Sequence, residues 1–152
     1  MIGMRRGALA LALSFALVAT VGAEETYRSH LNCAAIYGAR LDYAIGLDLM
    51  QPAEAEQMRA SIARFLWSAY ERLPRGIVPC TGWQSVEADF RSCAINKILR
   101  PQLSSLQAQE LADLVRRTGG SGPLQACPDD PRCAACAALE PSGAAPSDQP
   151  IP

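Results

Sequence analysis

The sequence predicts an all-α fold, a small disulfide-bonded bundle of about four helices with a cysteine-rich C-terminal segment and a disordered tail. Three observations carry that reading. Four segments show apolar residues at steps of three or four, and none sustains the period-2 alternation of a strand. Proline, glycine and capping pairs separate those segments. Six cysteines, an even number, fall downstream of an N-terminus that reads as an export signal.

The export signal comes first. Arg5 and Arg6 precede an apolar run, Gly7 to Val21, interrupted only by Ser14 and Thr20. Val21, Gly22 and Ala23 then supply the small residues of a cleavage site, and Glu24 and Glu25 follow. A charged start, an apolar middle and a small-residue end are the parts of a secretory signal in order. The run is shorter than the ~20 apolar residues of a spanning helix. The expected organisation is a signal peptide over residues 1–23, a disulfide-linked helical domain over 24–140 and a disordered tail over 141–152.

Without residues 1–23, 129 of the 152 residues remain, enough for one domain with a modest core. Losing Arg5 and Arg6 from the 14 basic residues leaves 12 against 15 acidic ones, a formal charge of −3. That balance argues against a nucleic-acid partner, whose capture rests on clustered basic side chains. Alanine occurs 26 times, and Lys97 is the one lysine beside thirteen arginines. This composition fits a GC-rich bacterial genome, so the expected location is the periplasm or the medium.

The first predicted helix runs from about Tyr27 to Ile45. Its stripe of Leu31, Ala34, Ala35, Gly38, Leu41 and Ile45 is small enough to admit a neighbouring helix closely, and Gly46 with the residues after it ends the helix. The second opens at Pro52, with Glu54 and Glu56 in the first turn where the helix dipole favours negative charge. Met58, Ile62, Leu66, Ala69 and Leu73 form its buried face. Arg72 lies in the last turn, and Pro74 and Gly76 stop the helix.

Thr81 and Gln84 have the spacing of a capping box for a third helix starting at about Gly82 or Trp83. Val86, Phe90, Cys93, Ala94 and Lys97 would share one face, with Pro101 as the terminator. Ser104 and Gln107 repeat the capping pattern for a fourth helix carrying Leu106, Leu111, Leu114 and Val115, which Gly119 and Gly120 end after Thr118. Asp130 and Pro131 suit the start of a short fifth helix ending near Leu139. Beyond Pro141 the composition cannot bury enough apolar surface to order itself.

Cys33, Cys80, Cys93, Cys127, Cys133 and Cys136 are all expected in disulfides. Cys33 and Cys93 each have alanine beside them, leaving room for close approach, and a bond between them is the expected staple. Cys80 would then join the C-terminal cluster. The competing reading makes Cys133 and Cys136 a Cys-x-x-Cys redox pair, because that arrangement near a helix start lowers a thiol pKa. Asp129 and Asp130 beside it oppose a thiolate, Cys127 competes as a partner, and no strands surround the motif as in a thioredoxin-like enzyme. Ala137 stands where covalent haem attachment needs histidine, and a four-cysteine zinc site is disfavoured in an oxidising compartment. No cofactor or metal is expected.

His30 is the single histidine, and any triad would have to use it. Near the start of the first helix it reads as a surface residue. Glu87 and Asp89 are two apart on a helix and do not converge, while Asp42 and Asp48 read as solvated. Trp67, Trp83, Tyr37, Tyr43 and Tyr70 are the large amphipathic side chains available for recognition, with Trp67 read first as core packing. Arg59 and Arg64 read as solvated charges.

These residues mark no reaction, so the chain is more naturally a binding than a catalytic protein. The functional expectation is a periplasmic or secreted accessory protein acting by protein–protein contact, in the manner of an inhibitor or immunity protein. The alternative is a thiol–disulfide redox protein using Cys133 and Cys136. A third reading is a small-molecule or metal carrier with a cavity between the first and third helices. Its partner is expected to be an envelope or secreted protein, with neither nucleic acid nor a stable membrane span involved.

Overall fold

The computed structural model describes residues 8–76, 80 and 87–143, with the backbone alone for 8–26 and 87–88. Its elements are α1 (Ala8–Gly46), α2 (Pro52–Glu71), α3 (Glu87–Cys93), a π-helical turn (Ala94–Leu99), α4 (Arg100–Thr118) and α5 (Pro131–Leu139), with a 3-10 turn at Cys127–Asp129 before α5. No strand occurs among the described residues. The proposed signal cleavage site falls within the span of α1. The capping pair Thr81 and Gln84, with Trp83 and Val86, lies outside the described residues, as does the tail from 144 onward. No helix among the described residues is long and apolar enough to cross a membrane.

The helices are not equal partners. α1 is the axis, packing against α2, α4 and α5. Between Tyr27 and Ala44 only Arg28, Asn32 and Asp42 are exposed, so this stretch is buried nearly all round, as a helix enclosed by others must be. Its alanines and Gly38 are what permit three neighbours. A Cβ placed on Gly38 would stand 2.6 Å from Gln107 Oε1, the measure of how closely α4 approaches.

Two core clusters form along α1. One joins Tyr27 and Leu31 to Leu66, Ala69 and Tyr70 of α2, to Leu73 just beyond it, and to Phe90, Ala94, Ile98 and Leu99. The other joins Cys33, Ala34 and Tyr37 to Phe65, Cys133 and Cys136. Tyr37 meets Phe65 edge-on at 5.4 Å, an arrangement that favours aromatic pairs beyond their burial. Trp67 packs against the first cluster, with its indole N–H donating to Glu71 at 2.9 Å.

The third and fourth predicted helices are one continuous rod. Pro101 does not terminate anything, and Ser104 with Gln107 caps nothing. Inside an α-helix, proline lacks a donor and its ring strikes the carbonyl four residues back. Here the π turn precedes it, with the Arg100 N–H bonded to Ile95 O. The wider turn also changes which residues face inward. Ile95, Ile98 and Leu99 are buried, while Lys97, assigned to the buried face by α-helical spacing, is exposed.

α1 ends in the expected stretch: Gly46 is its last helical residue, and Asp48 takes the left-handed conformation at φ 55°. Asp48 N–H bonds Ile45 O at 3.2 Å and Leu49 N–H bonds Ala44 O at 2.8 Å, the paired bonds of a left-handed helix cap. Ile45, expected in the buried stripe, is 50% exposed. At the far end of α4, Gly119 takes the left-handed conformation at φ 71°, as its sequence position predicts.

Candidate functional site

The disulfides define the most heavily braced corner of the molecule. Cys33 is bonded to Cys136, Cys80 to Cys93, and Cys127 to Cys133. The expected Cys33–Cys93 staple is therefore wrong, and so is the link from Cys80 to the C-terminal cluster. Leu31 and Cys33 are two residues apart, about 200° round a helix. Because α1 turns Leu31 toward Cys93 and Ala94, Cys33 faces the opposite side, toward Phe65 and α5. Cys133 and Cys136 are both on α5 but are bonded to different partners.

α5 can approach α1 because its first turn is tied down by charge. Asp130 caps the helix, accepting from the Arg132 N–H at 3.1 Å. Its other carboxylate oxygen meets Arg40 at 3.2 Å and Arg117 at 3.5 Å. Arg40 also donates to Gln125 O. Arg117 reaches Asp113 at 2.9 Å, and Arg132 bridges Glu110 and Asp113. Arg116 also meets Asp113 at 3.5 Å, so four arginines face three carboxylates, and the network joins the C-terminal segment to α1 and α4. Burial lowers the Arg40 pKa while Asp130 opposes that shift.

The first residue after α5 is tied in the same way. Glu140 accepts from Ser61 at 2.5 Å and from Arg64 on α2. Burial pushes the Glu140 carboxyl up, but the Ser61 and Arg64 contacts outweigh it and hold the group below its ordinary value. Arg64, read from sequence as solvated, is thus a structural tether. Arg59 does behave as expected, pairing on the surface with Glu56.

His30 is not a surface residue. It is 3% exposed, with its ring 6.0 Å from that of Phe65. Its Nδ1 has no hydrogen-bond partner. Burial, followed by the charge of Arg72, lowers its pKa, so the ring is held neutral. No triad forms around it among the described residues, and no group of three or more metal-ligating side chains occurs among them either.

Two surface features remain. A groove of about 540 Å³ runs between α1 and α4, lined by Arg28, Leu31, Asn32, Gln102, Ser105 and Leu106 among others. It lies between α1 and α4, the second half of the continuous rod, and not between the first and third helices where the carrier reading placed a cavity. Tyr27 closes one side by donating to Gln102 at 2.5 Å.

The second feature is the α1–α2 turn. Ile45 is 50%, Leu47 38% and Leu49 47% exposed. These are three of the five large hydrophobic side chains most exposed among the described residues, gathered within five positions. Sequence periodicity passed over them because it locates apolar residues without showing which remain uncovered. Between residues 41 and 58 the charged side chains are Asp42, Asp48, Glu54 and Glu56, with no basic residue among them. No family model, curated protein or solved structure matches this chain.

Proposed function

We propose that this chain is an exported binding protein, periplasmic or secreted, that acts by protein–protein contact through the α1–α2 turn. The observation that carries this reading is the exposed Ile45, Leu47 and Leu49 on a turn held by a left-handed aspartate. Glycine is the usual residue at that position because it has no Cβ penalty. An aspartate there retains backbone strain for the sake of its side chain, and strain of this kind collects at functional positions. The three disulfides suit an oxidising compartment, and one of them, Cys33–Cys136, braces the helix that presents the turn.

Apolar side chains whose charged neighbours from residue 41 to 58 are all acidic, with Glu56 paired to Arg59, fit an apolar cleft with a basic rim. The same acids oppose docking on an anionic lipid surface. An inhibitor or immunity protein, which inserts a rigid element into a cleft of its target, matches this chemistry.

The test places a benzoylphenylalanine photo-cross-linker at Leu47 and, as a control, at Ala112 on α4. One discrete adduct formed from Leu47 alone is expected. Against the purified adduct partner, Leu47→Asp/Leu49→Asp is expected to weaken binding more than tenfold, and added salt should weaken it too. No adduct, equal adducts from both positions, or affinity indifferent to the double substitution overturns the proposal. Binding to phosphatidylglycerol vesicles, or self-association that the double substitution abolishes, overturns it in favour of a lipid or a second copy.

A further inference from the structure

Four of the six cysteines form one unit. Cys33, Cys133 and Cys136 are buried together in the second core cluster, with Cys127 packed against it. Cys80 and Cys93 belong to the other cluster. Within the unit the four residues are unequally exposed. Cys133 is 0%, Cys136 2% and Cys33 6% exposed, while Cys127 is only half-buried. A thiol arriving from solvent therefore meets the Cys127–Cys133 bond, and meets it at Cys127.

Attack there makes Cys133 the leaving group. Cys133 is the third residue of the nine-residue α5, in the first turn, where backbone N–H groups favour a thiolate. The neighbouring Asp130 charge, which would oppose it, is already matched by Arg40 and Arg117. The next sulfur along α5 is that of Cys136. Helical geometry places Cα atoms three residues apart at about 5 Å, inside the span of about 4.4–6.8 Å that a disulfide requires. Their Cβ atoms, about 5–6 Å apart, must close to about 3.5–4.5 Å, so bonding Cys133 to Cys136 loosens the first turn of α5.

We propose that this corner is a thiol–disulfide exchange site for an external dithiol, in which Cys133, released from Cys127, displaces Cys33 from Cys136. The proposal does not depend on the α1–α2 turn. In the first step the external thiolate bonds to Cys127 Sγ, the Cys127–Cys133 bond breaks, and the electron pair leaves on Cys133. In the second, the Cys133 thiolate bonds to Cys136 Sγ and the Cys33–Cys136 bond breaks. Cys33 leaves as a thiolate and takes a proton from water. The second thiol of the reductant then attacks its own sulfur in the mixed disulfide, freeing Cys127.

The dithiol ends as a disulfide, having given two electrons, and the protein ends with Cys33 and Cys127 as thiols and Cys133 bonded to Cys136. The Cys-x-x-Cys pair suggested by the sequence is thus the exchanged state of the corner. The exchange removes the covalent tie between α1 and α5 and leaves the ion pairs of Asp130, Arg132 and Glu140 to hold α5.

The test treats the purified, oxidised protein with one equivalent of dithiothreitol, alkylates at successive times and maps the peptides. The expected intermediate has Cys133 bonded to Cys136 with Cys33 and Cys127 alkylated. Alkylation of Cys127 and Cys133 together while Cys33–Cys136 stays intact overturns the proposal, as does first reduction of Cys80–Cys93. The variant Cys127→Ala/Cys133→Ala separates relay from structure. Without the relay, Cys33 should become alkylatable at least tenfold more slowly than in the unaltered protein. A purely structural bond predicts the opposite, because its loss loosens the corner and speeds release. If that variant does not fold, the intermediate mapped in the unaltered protein decides the matter.

Discussion

Removing the disulfides one at a time, by replacing both partners with alanine, should destabilise the fold in the order of the loops they close. Alanine keeps the buried positions apolar and leaves no unpaired thiol. The sequence separations are 103 for Cys33–Cys136, 13 for Cys80–Cys93 and 6 for Cys127–Cys133. A cross-link stabilises chiefly by restricting the unfolded chain, and its effect grows with the logarithm of loop length. The expected losses are about 4.7, about 3 and about 2.4 kcal/mol respectively.

The assay is urea unfolding followed by helical circular dichroism, with the midpoint and slope of each variant fitted. The slope should rise most for Cys33→Ala/Cys136→Ala, because that unfolded chain expands most on losing its cross-link. Equal losses for all three variants, or the greatest loss from Cys127→Ala/Cys133→Ala, would show that loop entropy is not what these bonds contribute. The argument from sequence separation would then fail.

The remaining predictions use the same unfolding measurement. Arg40→Met should cost about 3 kcal/mol, the low end for breaking a buried pair, because Arg117 at 3.5 Å still faces the Asp130 carboxylate, and Arg40→Met/Asp130→Asn should cost less than the single change. A double variant less stable than Arg40→Met would refute that pairing. The lowered His30 pKa means the unfolded chain binds the proton more readily. Stability should therefore be full above pH 6.5 and fall as the pH drops below it toward the folded pKa. Glu140 adds a second loss as the pH falls through its depressed folded pKa, and Glu140→Gln should remove that second loss alone. Asp48→Gly should stabilise the fold by about 1 kcal/mol through relief of the left-handed conformation. The same change should weaken the proposed partner's binding, and a gain in both would dissociate the strain from function.

How far the fold was legible in the sequence depended on what each signal reports. The extent of α2 was readable, since Pro52 opens it and Leu66 and Ala69 are buried. Its face was read only in part: Phe65 and Tyr70 are buried while Met58 and Ile62 are only partly covered. Helix existence in α3 and α4 was readable as well. Their fusion was not, because a proline is a local stop signal and the preceding π turn is a property of the packed rod. That turn also shifts the phase of the apolar face, so that Ile95, Ile98 and Leu99 replace Lys97 on the inside. Cysteine pairing was illegible for a related reason. A bond depends on which face of each helix a cysteine occupies, and that is fixed only once α1 has chosen its neighbours. The α1–α2 turn was read as a stop signal and nothing more, since Ile45, Leu47 and Leu49 look like ordinary apolar residues until they are found uncovered.

The corner around α5 shows why covalent bonds are needed at all. A nine-residue helix is too short to persist alone in water, where about 12–15 residues are marginal even for alanine-rich chains. α5 contributes only Cys133 and Cys136 as fully buried side chains, so apolar burial cannot hold it either. Its attachment therefore rests on two disulfides and on ion pairs from α1, α2 and α4. Bonds that supply the attachment in place of packing are also bonds whose exchange can undo it, while the first core cluster, built on Phe90 and Leu99, has no such dependence on the sulfurs of α5. Stability of the corner and stability of the bundle should thus separate under reducing conditions, with α5 lost from α1 while Tyr27, Leu31 and their neighbours remain packed.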